Sequence, residues 1–190
     1  MIITINGAAG SGKSTIAKML AEKLGWPRYC IGGIRRQRAK EKGMTLAEYN
    51  KLGETDFATD SEFDQYQKKL GKTKNNFIIE GRTSWHFIPH SIKIYFEADE
   101  RERAQRVFNE LKKSNKRNED KGLKTLNDVL ISHRRRKQSD IKRYKKYYNI
   151  DVYNKNHYDY VIDTTNLNKK QVFVKVYKYI KSRLNQVDKL

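Results

Sequence analysis

Short unbroken apolar runs alternate along the chain with stretches in which apolar residues recur every three or four positions. The runs Ile2-Ile3-Thr4-Ile5 and Phe77-Ile78-Ile79, and the mostly apolar residues 91–96, have the length and composition of strands buried on both faces. Arg28-Tyr29-Cys30-Ile31 and residues 158–163 are two further short strands. Between the first two strands, Ile16, Met19, Leu20 and Leu24 make one face of a helix that stops at Gly25 and Pro27. A polar, basic helix is predicted over 34–42, behind Gly32-Gly33, and Thr45 with Glu48 three residues on reads as a capping box for a short helix ending near Leu52. A helix over 61–70 carries Asp64 and Gln67 on one side. The helix predicted over 102–113 turns Ala104, Val107, Phe108 and Leu111 inward, and the apolar signal then disappears over 114–122, which reads as a mobile loop. A long helix follows over 126–148 and a last one over 168–184, with apolar positions at Val172, Val174, Val176, Ile180 and Leu184. Five strands separated by helices, without a hairpin signal, predict an α/β fold: a parallel sheet covered on both faces.

Composition narrows the class further. A chain of 190 residues supports one domain with a full core. Cys30 is the only cysteine, so neither an intramolecular disulfide framework nor a cysteine metal site is expected. No run approaches the roughly eighteen apolar residues of a membrane span, and no basic leader with a long apolar segment opens the chain, so a cytoplasmic protein without a membrane partner is expected. The net charge of +19 is unevenly spread: residues 1–100 hold 16 basic and 12 acidic side chains, residues 101–190 hold 25 and 10. Such an excess suits an RNA-binding face, a funnel for small polyanions or a solvated surface.

The most informative stretch is Gly7-Ala8-Ala9-Gly10-Ser11-Gly12-Lys13-Ser14, followed by Thr15, which sits between the first strand and the first helix. It has the form of a phosphate-binding loop for ATP. Gly7 and Gly12 permit φ > 0 turns that aim successive N–H groups at one anion, at a helix N-terminus whose partial charge is positive. Lys13 reaches the β- and γ-phosphates, and the Ser14 hydroxyl is placed to ligate Mg²⁺.

In a parallel sheet ligands bind outside the carboxyl ends of the strands, which gathers this loop, Gly32-Gly33, Glu80-Gly81-Arg82 and the segment after Phe96 around one cleft. The chain has no Asn/Thr-Lys-x-Asp segment behind Phe96 or Ile162 to read guanine. It offers arginines instead: Arg36, Arg82, Arg136 and Arg143. Together they point to an enzyme that holds two phosphate-bearing ligands face to face. ATP and a monophosphate repel each other, so catalysis must be mainly positioning and charge neutralisation, and an anionic acceptor oxygen needs no base. His86, His90, His133 and His157 lack metal-ligand spacing and read as structural or surface residues. Arg136, Asp140 and Arg143, at i, i+4 and i+7, share one helix face, so two guanidinium groups and a carboxylate can enter the same cleft.

Gly7 to Ser14, Gly32 to Arg36, Glu80-Gly81-Arg82 and the late segment Arg136-x-x-x-Asp140-x-x-Arg143-Tyr144 resemble the cytidylate kinases, particularly their short archaeal form, over residues 1–165. The resemblance implies a P-loop nucleoside-monophosphate kinase of sheet order 2-3-1-4-5. It implies one domain over 1–190, with a monophosphate-binding insertion at about 32–72 and a lid at about 112–140. It implies phosphoryl transfer from ATP, with Mg²⁺, to CMP or dCMP; a monomer that uses small nucleotides and no nucleic acid is expected. Lys13, Arg136 and Arg143 would then be catalytic. Arg36, Gln67, Arg82, Ser84, Asp140 and Arg143 would bind the acceptor, Asp140 from a sugar hydroxyl, while Ser14, and Glu80 through water, would hold the metal. Two departures stand out: Gly33 replaces an acidic residue common in the second motif, and Thr83-Ser84 follow Arg82 where bacterial forms carry an aspartate. Cytosine would be read by Arg82 with Ser84, Thr83 or Gln67. Phosphorylation of UMP, AMP or a non-nucleotide such as shikimate, and a nucleotide-switched RNA-binding role, are the alternatives.

Overall fold

A computed structural model of the chain describes residues 1–113 and 118–187. Five strands form one sheet: β1 (Ile2–Gly7), β2 (Arg28–Cys30), β3 (Phe77–Glu80), β4 (Ile92–Glu97) and β5 (Tyr160–Asp163). Their order is β2-β3-β1-β4-β5 and every pair is parallel. The register sets Ile5 beside Glu80 and Gly7 beside Phe96, so the turn after β1 leaves the sheet at the edge where Glu80 ends β3.

Both faces are covered because successive residues of β1 and β3 point to opposite sides. Ile3, Ile5, Ile78, Ile94 and Phe96 pack with α1 (Lys13–Leu24) and α8 (Lys169–Val187) through Ile16, Leu20, Val172, Val176 and Ile180. On the other face Ile2, Phe77 and Ile79 meet α2 (Ile31–Glu41), α3 (Leu46–Leu52) and α4 (Ala58–Thr73) through Ala39, Tyr49, Phe63 and Leu70. A third cluster joins α6 (Glu100–Lys113) to α7 (Leu126–Tyr148) through Ala104, Val107 and Val129. Val174 lies outside the core at 54% exposure, since the stripe at 172, 176 and 180 leaves position 174 on the opposite side of α8. No helix among the described residues is long and apolar enough to cross a membrane.

Three local features differ from the pattern-based expectation. Helix α2 starts at Ile31, directly from Cys30, so Gly32 and Gly33 lie in its first turn and not in a loop. Burial of Ile31 and Arg35 decides the junction, overriding the poor helix propensity of glycine. A single-turn helix α5 (Ser84–Phe87) follows Arg82. Of the loop predicted at 114–122, residues 114–117 lie outside the described residues. The following segment is strapped down: Leu46 N–H donates to Asn118 O and Ala47 N–H to Glu119 O, both at 3.0 Å. The capping box at Thr45 and Glu48 is present, and Thr125 with Asp128 forms a second one that starts α7.

Candidate active site

Three glycines give the loop between β1 and α1 its shape, with φ of 148° at Gly7, 79° at Gly10 and 82° at Gly12. A Cβ on Gly7 would stand 2.3 Å from Phe96 O, and one on Gly10 would stand 2.3 Å from Arg103 O; at Gly12 only the dihedral is restrictive. Gly10, a free position in the motif, is therefore as constrained as Gly7. Gly10→Ala is expected to push the loop off α6 and weaken ATP binding more than tenfold, measured by titration calorimetry; an unchanged affinity would show that the loop tolerates a side chain there. Asn6 anchors the entry, accepting from Gly7 N–H at 2.7 Å and donating to Val152 O at 2.9 Å. Lys13 Nζ donates to Ala8 O at 3.2 Å, inside the loop. The Ser14 hydroxyl donates to Glu80 Oε2 at 2.5 Å, and Glu80 Oε1 accepts from Arg28 at 2.9 Å.

Arg103 and Arg106 brace this framework. Arg103 donates to Ala98 O at 3.0 Å and to Ala9 O at 3.4 Å, while Arg106 donates to the carbonyls of Thr164 and Thr165 at 2.7 and 3.0 Å.

Beside the loop lies a cleft of about 340 Å³. Lys13, Ser14, Arg36, Gln67, Glu80, Arg82, Arg136, Asp140 and Arg143 all line it, so residues spread over 130 positions of sequence converge on one space. The shared face of Arg136, Asp140 and Arg143 on α7 is the face turned to the cleft. Charge alternates across it. Arg82 Nε donates to Asp140 Oδ2 at 2.9 Å and its Nη1 to Gly7 O; Arg143 Nη2 donates to Asp140 Oδ1 at 2.6 Å. Arg143 Nη1 reaches both oxygens of Asp60 at 2.6 and 2.7 Å, and Arg35 Nη1 joins Asp60 at 2.9 Å. Burial opposes ionisation of Asp140, but the guanidinium groups of Arg82, Arg143 and Arg136 hold its carboxyl well below the usual carboxylate range. Glu119 sits between Arg136 at 2.7 Å and Arg36 at 3.6 Å. Three guanidinium atoms, Arg35 Nη2, Arg136 Nε and Arg143 Nε, are buried without a hydrogen-bond partner among the described residues. Buried donors are normally satisfied, and an anion in the cleft would satisfy these.

One predicted site residue is placed differently from expectation. Ser84 is fully buried and does not line the cleft; its hydroxyl supports Gln67 by donating to Oε1 at 2.5 Å. Asp140 enters the cleft already tied to the protein, its oxygens accepting from Arg82, Arg143 and, at 2.8 Å, the Tyr153 hydroxyl. It positions the arginines. Sequence reasoning missed Arg35, Asp60, Glu119 and Tyr153, and also Asn50, which lines the cleft and accepts from Arg35 Nε at 2.8 Å. Arg35 and Arg36 are neighbours on one helix, and periodicity alone does not tell which of the two turns inward. Asp60 had a usable signal, lying one helical turn before Asp64 and on the face of Phe63 and Gln67.

With this geometry in hand the chain can be set beside known proteins. The model of the cytidylate kinase-like family matches residues 2–166. A cytidylate kinase of Methanocella arvoryzae is 37% identical over 95% of this chain and 97% of its own length. That of Methanocaldococcus jannaschii is 39% identical over 91% and 93%, and that of Archaeoglobus fulgidus 32% over 99% of each. Among solved structures, an uncharacterized protein from Eubacterium ventriosum superposes with a TM-score of 0.68 at 18% identity, covering 96% of this chain and 99% of that one. A shikimate kinase from Acinetobacter baumannii, in complex with shikimate, gives 0.57 at 16% identity over 96% and 93%. At those identities the structural likeness speaks for the P-loop kinase fold alone. The sequence likeness, nearly end to end, speaks for more: this chain is a nucleotide-binding P-loop kinase that belongs to the cytidylate kinase-like family.

Proposed function

We propose that the protein transfers the γ-phosphoryl group of ATP to CMP or dCMP, giving ADP and CDP or dCDP. The observation that carries this reading is the cleft itself, where a phosphate loop faces buried guanidinium N–H groups that have no hydrogen-bond partner among the described residues. ATP lies with its phosphates on Gly7 to Thr15 and Lys13 beside the γ-phosphate. The acceptor's phosphate sits against Arg36, Arg82 and Arg143, helped by Arg35, while Arg136 from α7 faces both ligands. An oxygen of that phosphate attacks the γ-phosphorus in line as the bond to the ADP oxygen breaks. The nucleophile is already anionic, so no side chain removes a proton, and the arginines offset the repulsion between the two polyanions. Ser14 and Glu80, oxygen to oxygen at 2.5 Å, suit a hard divalent ion that takes few protein ligands. Bound there, Mg²⁺ would supply charge neutralisation to the transferring phosphates.

Residues 32–72 would form the monophosphate-binding insertion and residues 112–140 the lid that excludes water, the enzyme working as a monomer on small nucleotides. The test is ADP release from ATP and Mg²⁺ with CMP, dCMP, UMP, AMP, GMP, shikimate or no acceptor. Release confined to CMP and dCMP is expected. Release with another acceptor alone would overturn the substrate, and silence throughout would overturn the activity.

A further inference from the structure

One end of the same cleft carries a different chemistry from the arginine wall. One helical turn beyond Asp60, α4 presents Asp64, which is 5% exposed and lines the cleft with Phe63, Gln67, Thr83 and Tyr144. Its Oδ1 accepts from the Thr83 hydroxyl at 3.0 Å and from Gln67 Nε2 at 3.1 Å, and its Oδ2 accepts from the Tyr148 hydroxyl. Gln67 Oε1 is taken by Ser84, and Gln67 Nε2 also reaches Thr83 Oγ1 at 3.1 Å. The loop after β3 brings no carboxylate of its own here, only Thr83 and Ser84; α4 supplies it.

An ionised carboxylate has about four lone-pair sites. Three donors fill three of them, so Asp64 can take one more N–H and offers nothing to an acceptor. The amide of Gln67 is engaged at both ends, which leaves the carboxylate as the open polar group of this end, beside the rings of Phe63 and Tyr144.

We propose that Asp64 reads the acceptor base, taking a hydrogen bond from the exocyclic 4-amino group of cytosine and so setting CMP and dCMP above UMP. This rests on the reading of the cleft as the acceptor-nucleotide site. Cytosine carries an amine where uracil carries a keto oxygen. Uracil would set that oxygen against the carboxylate and leave both unpaired, the situation in which a polar site rejects an analogue strongly. Gln67 and Ser84 act by holding Asp64 and its neighbours in place, one step removed from the base.

Protonation adds an independent handle. Burial pushes the Asp64 carboxyl up to about 6, against the hydrogen bond from Tyr148. The charged and titratable groups facing it are Tyr148 from α7, Asp60 on its own helix and Arg35 from α2, with the His86 ring behind Tyr148 at 6.0 Å. At neutral pH the carboxylate is mostly ionised and selects the amine. Once protonated it can donate to a keto oxygen, so selectivity must narrow in mild acid.

The experiment measures kcat/KM for CMP and for UMP on wild type and Asp64→Asn, with thermal denaturation of both. The asparagine amide can donate to a keto oxygen, so the CMP-to-UMP ratio is expected to fall at least a hundredfold, CMP turnover dropping and UMP turnover rising. A folded Asp64→Asn protein with an unchanged ratio would overturn the proposal, whatever happens to the two rates together. Should the variant fail to fold, the wild-type ratio decides. It is expected to fall severalfold between pH 7.5 and 5.5, and a flat ratio overturns the assignment; titration of the monophosphate itself affects both substrates alike and cancels. Wild-type protein silent with both nucleotides would instead overturn the reading of the cleft, and the role of Asp64 with it.

Discussion

Replacing Lys13 by Ala is expected to lower kcat on the order of a thousandfold while leaving the protein folded. The ammonium group is the cation the loop itself can bring to the γ-phosphate, where charge builds up during transfer, and removing one such donor costs roughly 10²–10³ in kcat, or ~3–4 kcal/mol. The side chain is partly exposed and donates to Ala8 O at 3.2 Å. The melting temperature of the variant should fall by no more than about 4 °C, since loss of a hydrogen bond of this kind costs about 1 kcal/mol. Turnover within tenfold of wild type would show that the loop does not deliver its lysine to the reacting phosphate.

Arg143→Ala is expected to have the largest effect on stability of any single change in the cleft. Arg143 is 1% exposed and joins Asp60 on one side to Asp140 on the other. Its removal leaves two buried carboxylates short of their shared partner, and breaking a buried pair from one side costs roughly 3–5 kcal/mol. For a chain of this size that corresponds to a fall in melting temperature of about 6–20 °C. Arg35 and Arg82 remain on the same carboxylates and offset part of the loss. Arg143→Lys should recover only part of it, because a single ammonium group cannot present the planar fork that spans Asp60 and Asp140. A melting temperature for Arg143→Ala within 2 °C of wild type would mean that the network contributes nothing to the fold.

Much of the architecture follows from local patterns. The strands β1, β3 and β4 are read from their unbroken apolar runs because each is buried on both faces, where nothing forces alternation. The phosphate loop needs no tertiary information, since its spacing is itself the backbone geometry that cradles an anion. The inward face of Arg136, Asp140 and Arg143 follows from helical periodicity and holds in the fold. Other features are invisible along the chain. The need for glycine at position 10 comes from the backbone of Arg103, more than ninety residues away. Ser84 is displaced from the cleft because α5, too short to leave a periodic signal, turns it beneath Gln67.

By itself, then, the sequence determined the parallel α/β sheet, the loop that meets phosphate and the set of arginines available to a second anion. These depend on period, spacing and charge, all of which are written within a few turns of chain. The tertiary structure alone decided how the charges divide their work. It set Asp140 between Arg82 and Arg143, recruited Arg35 through Asp60, and placed the Asp64 carboxylate beside Thr83. Which donor meets which acceptor is settled by where helices α2, α4 and α7 cross, and such crossings join residues up to 84 positions apart, as Asp64 and Tyr148 are.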